Sequence, residues 1–239
     1  MSSKLLKISA LALLAGVTSG YASKLQDGMY VGVSHAFNNL QLDGQATDTV
    51  VSLKGKKNDR YYGGAEGRVF AGYEDRWGSS CFVWGTELFA SFHNTDTGRI
   101  VDYIGGNTSY TRVNQEYSGG LKLKAGWGIN DNTTWYAHVS AINTRFKIEH
   151  APGDGGLLGG GYVGSNLSKN LWAIAPGLGM KVGLDKNWSL HGDAYYAFYQ
   201  SFKKDLSGDG GGHTYTFKMN PKQLGISVGV SYKINPSHD

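Results

Sequence analysis

Residues Leu224 to Ile234, LGISVGVSYKI, alternate without a break. Leu224, Ile226, Val228, Val230, Tyr232 and Ile234 share one face, and Gly225, Ser227, Gly229, Ser231 and Lys233 share the other. Successive side chains of a strand point to opposite faces, so this is a ribbon with one apolar side and one small, polar side. A soluble sheet turns its apolar side onto a core. A membrane barrel turns it to lipid and keeps the polar side in its lumen. The rest of the chain decides between them.

Seven further stretches alternate in the same way: 29–37, 61–73, 82–92, 113–129, 135–147, 172–184 and 188–202, with the eighth running over 215–234. In the first, His35 is an exception among the outward residues Met29, Val31, Val33 and Phe37. In the fifth, the alternation slips near Ile142, which predicts a bulge. The links between stretches themselves alternate. Short ones (74–81, 130–134, 185–187) follow the second, fourth and sixth, and long polar ones (38–59, 93–109, 148–170, 203–213) follow the first, third, fifth and seventh. A soluble barrel has no reason to gather its long loops at one end, whereas a barrel crossing an outer membrane has short turns on the periplasmic side and long loops outside. Trp77, Trp127, Trp135 and Trp188 fall at or beside the short-turn end, where an interfacial belt of amphipathic rings is expected.

Composition agrees with an all-β chain, with 36 Gly and 15 Tyr against 4 Pro. Nothing after Ala22 is apolar for long enough to cross a bilayer as a helix, which excludes a helical inner-membrane protein. At the N-terminus, Lys4 and Lys7 precede the apolar run 8–17, and Gly20-Tyr21-Ala22 supplies small residues for a signal peptidase. Residues 1–22 are expected to be a cleaved secretory signal and 23–239 a single barrel domain. Losing the two lysines leaves little of the formal charge of +4, too little to support nucleic-acid binding. Cys81 is the only cysteine, so no internal disulfide forms.

The stretches GRVFAGYE (67–74), APGLGMKVGL (175–184) and WSLHGDAYYAF (188–198), with the closing strand, resemble the small eight-stranded outer-membrane β-barrels of Gram-negative bacteria, of the opacity-protein and OmpA-membrane-domain type. The resemblance covers essentially the whole of 23–239. It implies an all-β, eight-stranded, antiparallel, up-and-down transmembrane barrel in the outer membrane, among outer-membrane lipids and lipopolysaccharide and delivered there by the barrel-assembly machinery. Ser227, Gly229, Tyr232 and Ile234 are similar to that family's C-terminal assembly signal. The family usually stops on Phe, whereas here Ile234 is followed by NPSHD.

Inside such a barrel, Glu66, Arg68, Glu87, Glu116, Lys122, Lys124, Lys181 and Asp193 would project inward. Eight strands leave room only for side chains, and buried charges must be paired. These residues are expected to form an ion-pair network that plugs the lumen. His93, His150 and His213 fall in or at long links without close ligand spacing, so solvated histidines are expected there, with no metal or cofactor. His191 and Asp193 share a strand face, as do His138 and Ser140. Any alternating strand gives such placement by chance, and no catalytic set is assigned. The expected role is structural or adhesin-like surface recognition of a host or envelope component through four long loops. A narrow porin-like channel is the alternative, with an outer-membrane lipid hydrolase or a secreted lipid-binding barrel behind it.

Overall fold

The computed structural model describes residues 28–48, 58–77, 81–98, 100–104, 107–152, 165–207 and 214–234, so the expected signal segment and the link 153–164 lie outside it. Its elements are all strands: β1 (Gly28–Asp48), β2 (Asn58–Arg76), β3 (Phe82–Asp96), β4 (Ile100–Ile104), β5 (Asn107–Asn130), β6 (Thr133–Pro152), β7 (Ser165–Gly183), β8 (Trp188–Tyr199), β9 (Phe202–Ser207) and β10 (Thr214–Lys233). Every pairing is antiparallel between neighbours, and β1 pairs with β10 from Tyr30↔Lys233 to Asp48↔Tyr215, which closes the sheet. β4 carries on the β3 side of β5 after a break at Thr97 and Gly98, the latter at φ 61°, and β9 carries on β8 along β10. Two strands are therefore interrupted, and the barrel counts eight. Among the described residues, closure leaves every strand of the apolar band with a neighbour on both sides, which lets a sheet cross hydrocarbon.

The outer surface of the wall has two zones. From Trp84 to Phe92 on β3, the outward residues Trp84, Leu88, Ala90 and Phe92 are exposed. Eight residue steps at about 3.4 Å, tilted by about 40°, rise roughly 21 Å, close to the apolar height of about 25 Å expected of such a barrel. Trp127, Trp135, Trp188 and Tyr232 ring the short-turn end, and Phe37, Phe92, Tyr117, Trp172 and Phe198 ring the other. Leu178, in the band and 63% exposed, is a direct probe: Leu178→Arg should cost about 2–4 kcal/mol near the bilayer midplane. Urea titration in liposomes measures this, and an unchanged midpoint would place β7 outside lipid.

Above the band the alternation continues with its polarity inverted. On β6, Arg145, Lys147 and Glu149 face out, while Ile142, Phe146 and Ile148 face in. On β1, Leu40 and Leu42 point inward between Asn39, Gln41 and Asp43. The strands thus extend well into the segments expected to be long links, since β1 runs to Asp48 and β6 to Pro152. The slip near Ile142 is this inversion and not a bulge, because β6 pairs with β7 without a register shift from Thr133 to His150. The irregularity lies in β5, whose register shifts against β6 between Gln115 and Ser118 and against β3 between Phe92 and Thr95. One extra residue there reverses inside and outside along β5: Val113 and Gln115 face in below it in sequence, Ser118, Lys122 and Lys124 beyond it.

At the short-turn end, Asp185 closes the β7–β8 turn by accepting the backbone N–H groups of Asn187 and Trp188, both at 2.7 Å. The Trp188 and Asn187 bonds hold its carboxyl below the ordinary 3.8. Its support of the turn is present at neutral pH and is lost as the pH falls below that value through the lower folded one.

Candidate functional site in the barrel lumen

Inward parity brings the charged side chains into three tiers. Nearest the short turns, Glu74 on β2 takes two lysines: Lys124 Nζ at 2.5 Å and Lys181 Nζ at 3.2 Å. Both ammonium groups also lie over the Tyr30 ring, 4.8 and 5.0 Å from its centroid. Tyr30 Oη donates to Glu87 Oε2 at 3.2 Å and so joins this tier to the next.

In the middle tier, Lys122 bridges Glu87 at 3.1 Å and Asp193 at 3.6 Å. Asp193 also accepts from Tyr136 Oη at 2.9 Å and from Ser227 Oγ at 3.5 Å. His138 Nε2 lies 3.4 Å and His191 Nδ1 3.9 Å from its carboxylate.

Glu66 and Arg68 make the third tier. They lie two apart on one face of β2 and meet through Arg68 Nη2 and Nε at 2.7 and 3.0 Å. The second Glu66 oxygen accepts from Asn38 at 2.9 Å and from Tyr195 Oη at 2.8 Å. The Arg68 guanidinium stacks 4.2 Å from the Phe89 centroid. Gly225, opposite Tyr195, leaves the space its ring fills, since a Cβ there would overlap it. Every carboxylate of the tiers therefore has a cationic or hydroxyl partner, as burial in a narrow lumen requires.

Above the charges the lumen loses polarity in two steps. Gln115 donates to Gln223 at 2.7 Å, and Tyr199 Oη lies between Gln223 and Thr144 at 3.1 and 3.2 Å. Beyond them Leu40, Leu42, Val113, Phe146, Ile148, Leu171, Phe202 and Met219 pack into an apolar plug. Leu40, Val113, Phe146 and Met219 have no exposed surface at all.

Seven of the eight charged residues expected inside are brought together in this way: Glu66, Arg68, Glu87, Lys122, Lys124, Lys181 and Asp193. Glu116 is not. The β5 irregularity carries it to the outer wall, where its half-exposed carboxylate pairs with Arg145 Nε at 3.1 Å while Arg145 also donates to Tyr117 Oη at 3.0 Å. His93 differs too. It is lumenal and not a solvated loop residue, with its side chain buried and Nε2 2.8 Å from Ser118 Oγ. The His150 side chain and all of His213 lie outside the described residues.

Glu74 carries the lowest tier yet falls in a segment expected to be a turn; the parity of Glu66, Arg68 and Phe70 extended by two steps would have found it. Gly225-Ile226-Ser227-Val228-Gly229 spells Gly-x-Ser-x-Gly, but Ser227 sits in mid-strand, buried, and not on a strand-to-helix elbow. Ser140, His138, His191 and Asp193 all face the lumen, away from lipid. Among the described residues no group of three or more His, Cys, Asp or Glu side chains has metal-binding geometry. Of the assembly-signal residues, Ser227 and Gly229 face in, and Tyr232 and Ile234 face out at the short-turn end.

A protein-family model described as "Outer membrane protein beta-barrel domain" matches residues 8–233. Among solved structures, the chain is similar to the outer membrane protein OprG of Pseudomonas aeruginosa, at 16% identity over 87% of this chain and 96% of that one, with a TM-score of 0.52. Two others are a major outer membrane protein of Thermus thermophilus (14%, 84% and 98%, TM-score 0.47) and Neisserial surface protein A (13%, 87% and 97%, TM-score 0.42). At such identity OprG shows a shared barrel fold and nothing of activity. No curated protein matches the chain in sequence.

Proposed function

The chain belongs to the outer membrane protein beta-barrel domain family, and on that premise we propose a sealed, non-catalytic barrel that acts through its outer end, as a structural and surface-recognition element. It is an integral protein of the outer membrane of a Gram-negative bacterium. The observation that supports this role is the plug. Four side chains with no exposed surface close the lumen above the charged tiers, and close-packed side chains leave no path for water or solutes. What remains available to a partner is the rim. There the strands continue beyond the apolar band as a tube with Arg112, Lys147 and Glu149 on its outer wall. The paired strands fix the points from which the links start, as rigid scaffolds do for recognition loops.

The hydrolase alternative would need a nucleophile that an acyl ester in the bilayer can reach, and Ser140 and Ser227 face a closed lumen. The channel alternative differs in one measurement. Purified protein in planar bilayers should give no steady single-channel steps, and steady steps from the intact barrel would overturn the sealed reading. Adhesion of expressing cells to protein- and glycan-coated surfaces, with 153–164 replaced by a Gly/Ser link of equal length, tests recognition. Adhesion that is lost with the link supports the role, and adhesion indifferent to the protein counts against it.

A further inference from the structure

The wall is not paired all round at its outer end. Among the described residues β2 pairs with β3 only from Ala65 on, and β4 lies on β5 alone. Likewise β7 follows β8 no further than Trp172, whose carbonyl accepts from the Gln200 N–H at 2.8 Å, and β9 lies on β10 alone. Two seams therefore split the wall above the lipid, where water hydrates free backbone groups. The seam beside β7 can be read residue by residue. In an antiparallel ladder the N–H and C=O of one residue point to the same side, and the side alternates along the strand. Trp172 and Leu184 turn theirs to β8. Ser168 and Asn170 share that parity and turn theirs into the seam, where no described strand pairs with them. Lys169 and Leu171 face β6, opposite Phe146 and Thr144.

This edge is cationic. The sequence of β7 contains no Asp or Glu, and Ser168, Lys169 and Asn170 are all exposed. Lys169 has the parity of the plug residues Leu167 and Leu171 and pairs with the fully buried Phe146. It is nonetheless exposed, so the lumenal side of β7 reaches water here. Across the seam β9 reads FKKDLS, and its exposed Lys203 stands directly opposite the exposed Lys218 of β10. Like charges directly opposite one another destabilise a sheet, and an anionic neighbour offsets that.

We propose, resting on the surface-recognition role above, that the edge of β7 at Ser168 and Asn170 docks an extended, acidic segment of a partner protein, which joins the wall as an added strand. In strand addition the main-chain groups of the edge give the affinity and the side chains beside it give the choice. A second copy of the chain would bring lysine-bearing edges together, and lysines on an edge keep sheets from pairing with themselves. The adjoining links of the chain itself, GDGGLLGGGYVG (153–164) and GDGGGH (208–213), carry one acid each and are mostly glycine, which is depleted in strands. An acidic partner segment satisfies the backbone of the edge and meets Lys169, Lys203 and Lys218 with opposite charge.

Amide hydrogen exchange of the folded full chain in zwitterionic micelles, read by NMR, tests the edge and its occupant. In the barrel alone the Ser168 and Asn170 amides should exchange far faster than those of Lys169 and Leu171. Protection of all four would show an edge already covered and would overturn the proposal. The probes are a synthetic peptide alternating Glu and Thr, its Lys–Thr counterpart, and the Glu–Thr peptide with alternate backbone nitrogens methylated. The Glu–Thr peptide should slow exchange at Ser168 and Asn170 saturably. The Lys–Thr peptide should fail for its charge, and the methylated one because it lacks the N–H groups a strand donates. Lys169→Glu with Lys203→Glu should weaken the Glu–Thr peptide about fivefold or more, since two exposed attractions become repulsions. A band that still shifts on boiling shows that this variant folds. Equal binding of the methylated or the Lys–Thr peptide, or equal affinity in the variant, would overturn strand addition at this edge. A barrel that supports adhesion yet shows no protection by the acidic peptide overturns this site alone and leaves the surface-recognition role standing.

Discussion

Replacing Glu74 by glutamine should destabilise the barrel by about 3–5 kcal/mol or more, the scale for breaking a buried ion pair by removing one partner. The substitution is nearly isosteric, so packing is preserved and only the charge goes. Two ammonium groups then lose their carboxylate at once, because Lys124 and Lys181 both depend on it. The cation–π contacts with Tyr30 remain, but at roughly 0.5–2 kcal/mol each they do not offset an unpaired buried charge. Reversible urea unfolding in liposomes, followed by tryptophan emission, reads the change. Glu116→Gln is the matched control. Its pair with Arg145 is about 40% exposed on both sides, and such pairs contribute about 1 kcal/mol or less. Equal losses for the two variants would show that Glu116 faces the lumen after all and that the β5 irregularity is misplaced.

The contrast between these two glutamates shows how much of the site could be read from the chain. Within the apolar band, every second residue is greasy and the intervening one is lumenal, so parity alone located Glu66, Arg68, Glu87, Lys122, Lys124, Lys181 and Asp193. Parity fails where an extra residue enters. Nothing in VNQEYSGG announces that Gln115 and Ser118 both face in. The strand ends were hidden for a different reason. Above the lipid the surroundings of the wall exchange roles, water outside and a dry plug inside, so Leu40, Leu42, Phe146 and Ile148 alternate in the opposite sense to the membrane segment. A reader seeking apolar residues outside takes those segments for polar loops. Partner choice was out of reach for a third reason. Tyr195 meets Glu66 across 129 residues of chain and Lys181 meets Glu74 across 107, distances at which only register decides.

The Glu66–Arg68 pair allows a sharper question, whether the lumenal charges stabilise the barrel or specify it. Glu66→Gln alone should cost about 3–5 kcal/mol, because it leaves a guanidinium buried against Phe89 and Tyr195 with neutral acceptors, the new amide oxygen and Ser91 Oγ, and no counter-charge. Arg68→Met alone should cost a similar amount, since the carboxylate keeps its bonds from Asn38 and Tyr195 but loses its counter-charge. The double variant Glu66→Gln, Arg68→Met should cost far less than the sum, for desolvating two charges consumes most of what their attraction returns. A coupling of about 2 kcal/mol or more in a double-mutant cycle is therefore expected, with the double variant near the parent in stability. If the double variant is as stable as the parent yet refolds into liposomes slowly or into several gel species, the pair selects one register among the alternatives that alternating strands permit. If instead the two losses simply add, the pair is not coupled in the folded barrel, and the third tier owes its stability to the Asn38 and Tyr195 bonds and to the aromatic rings around Arg68.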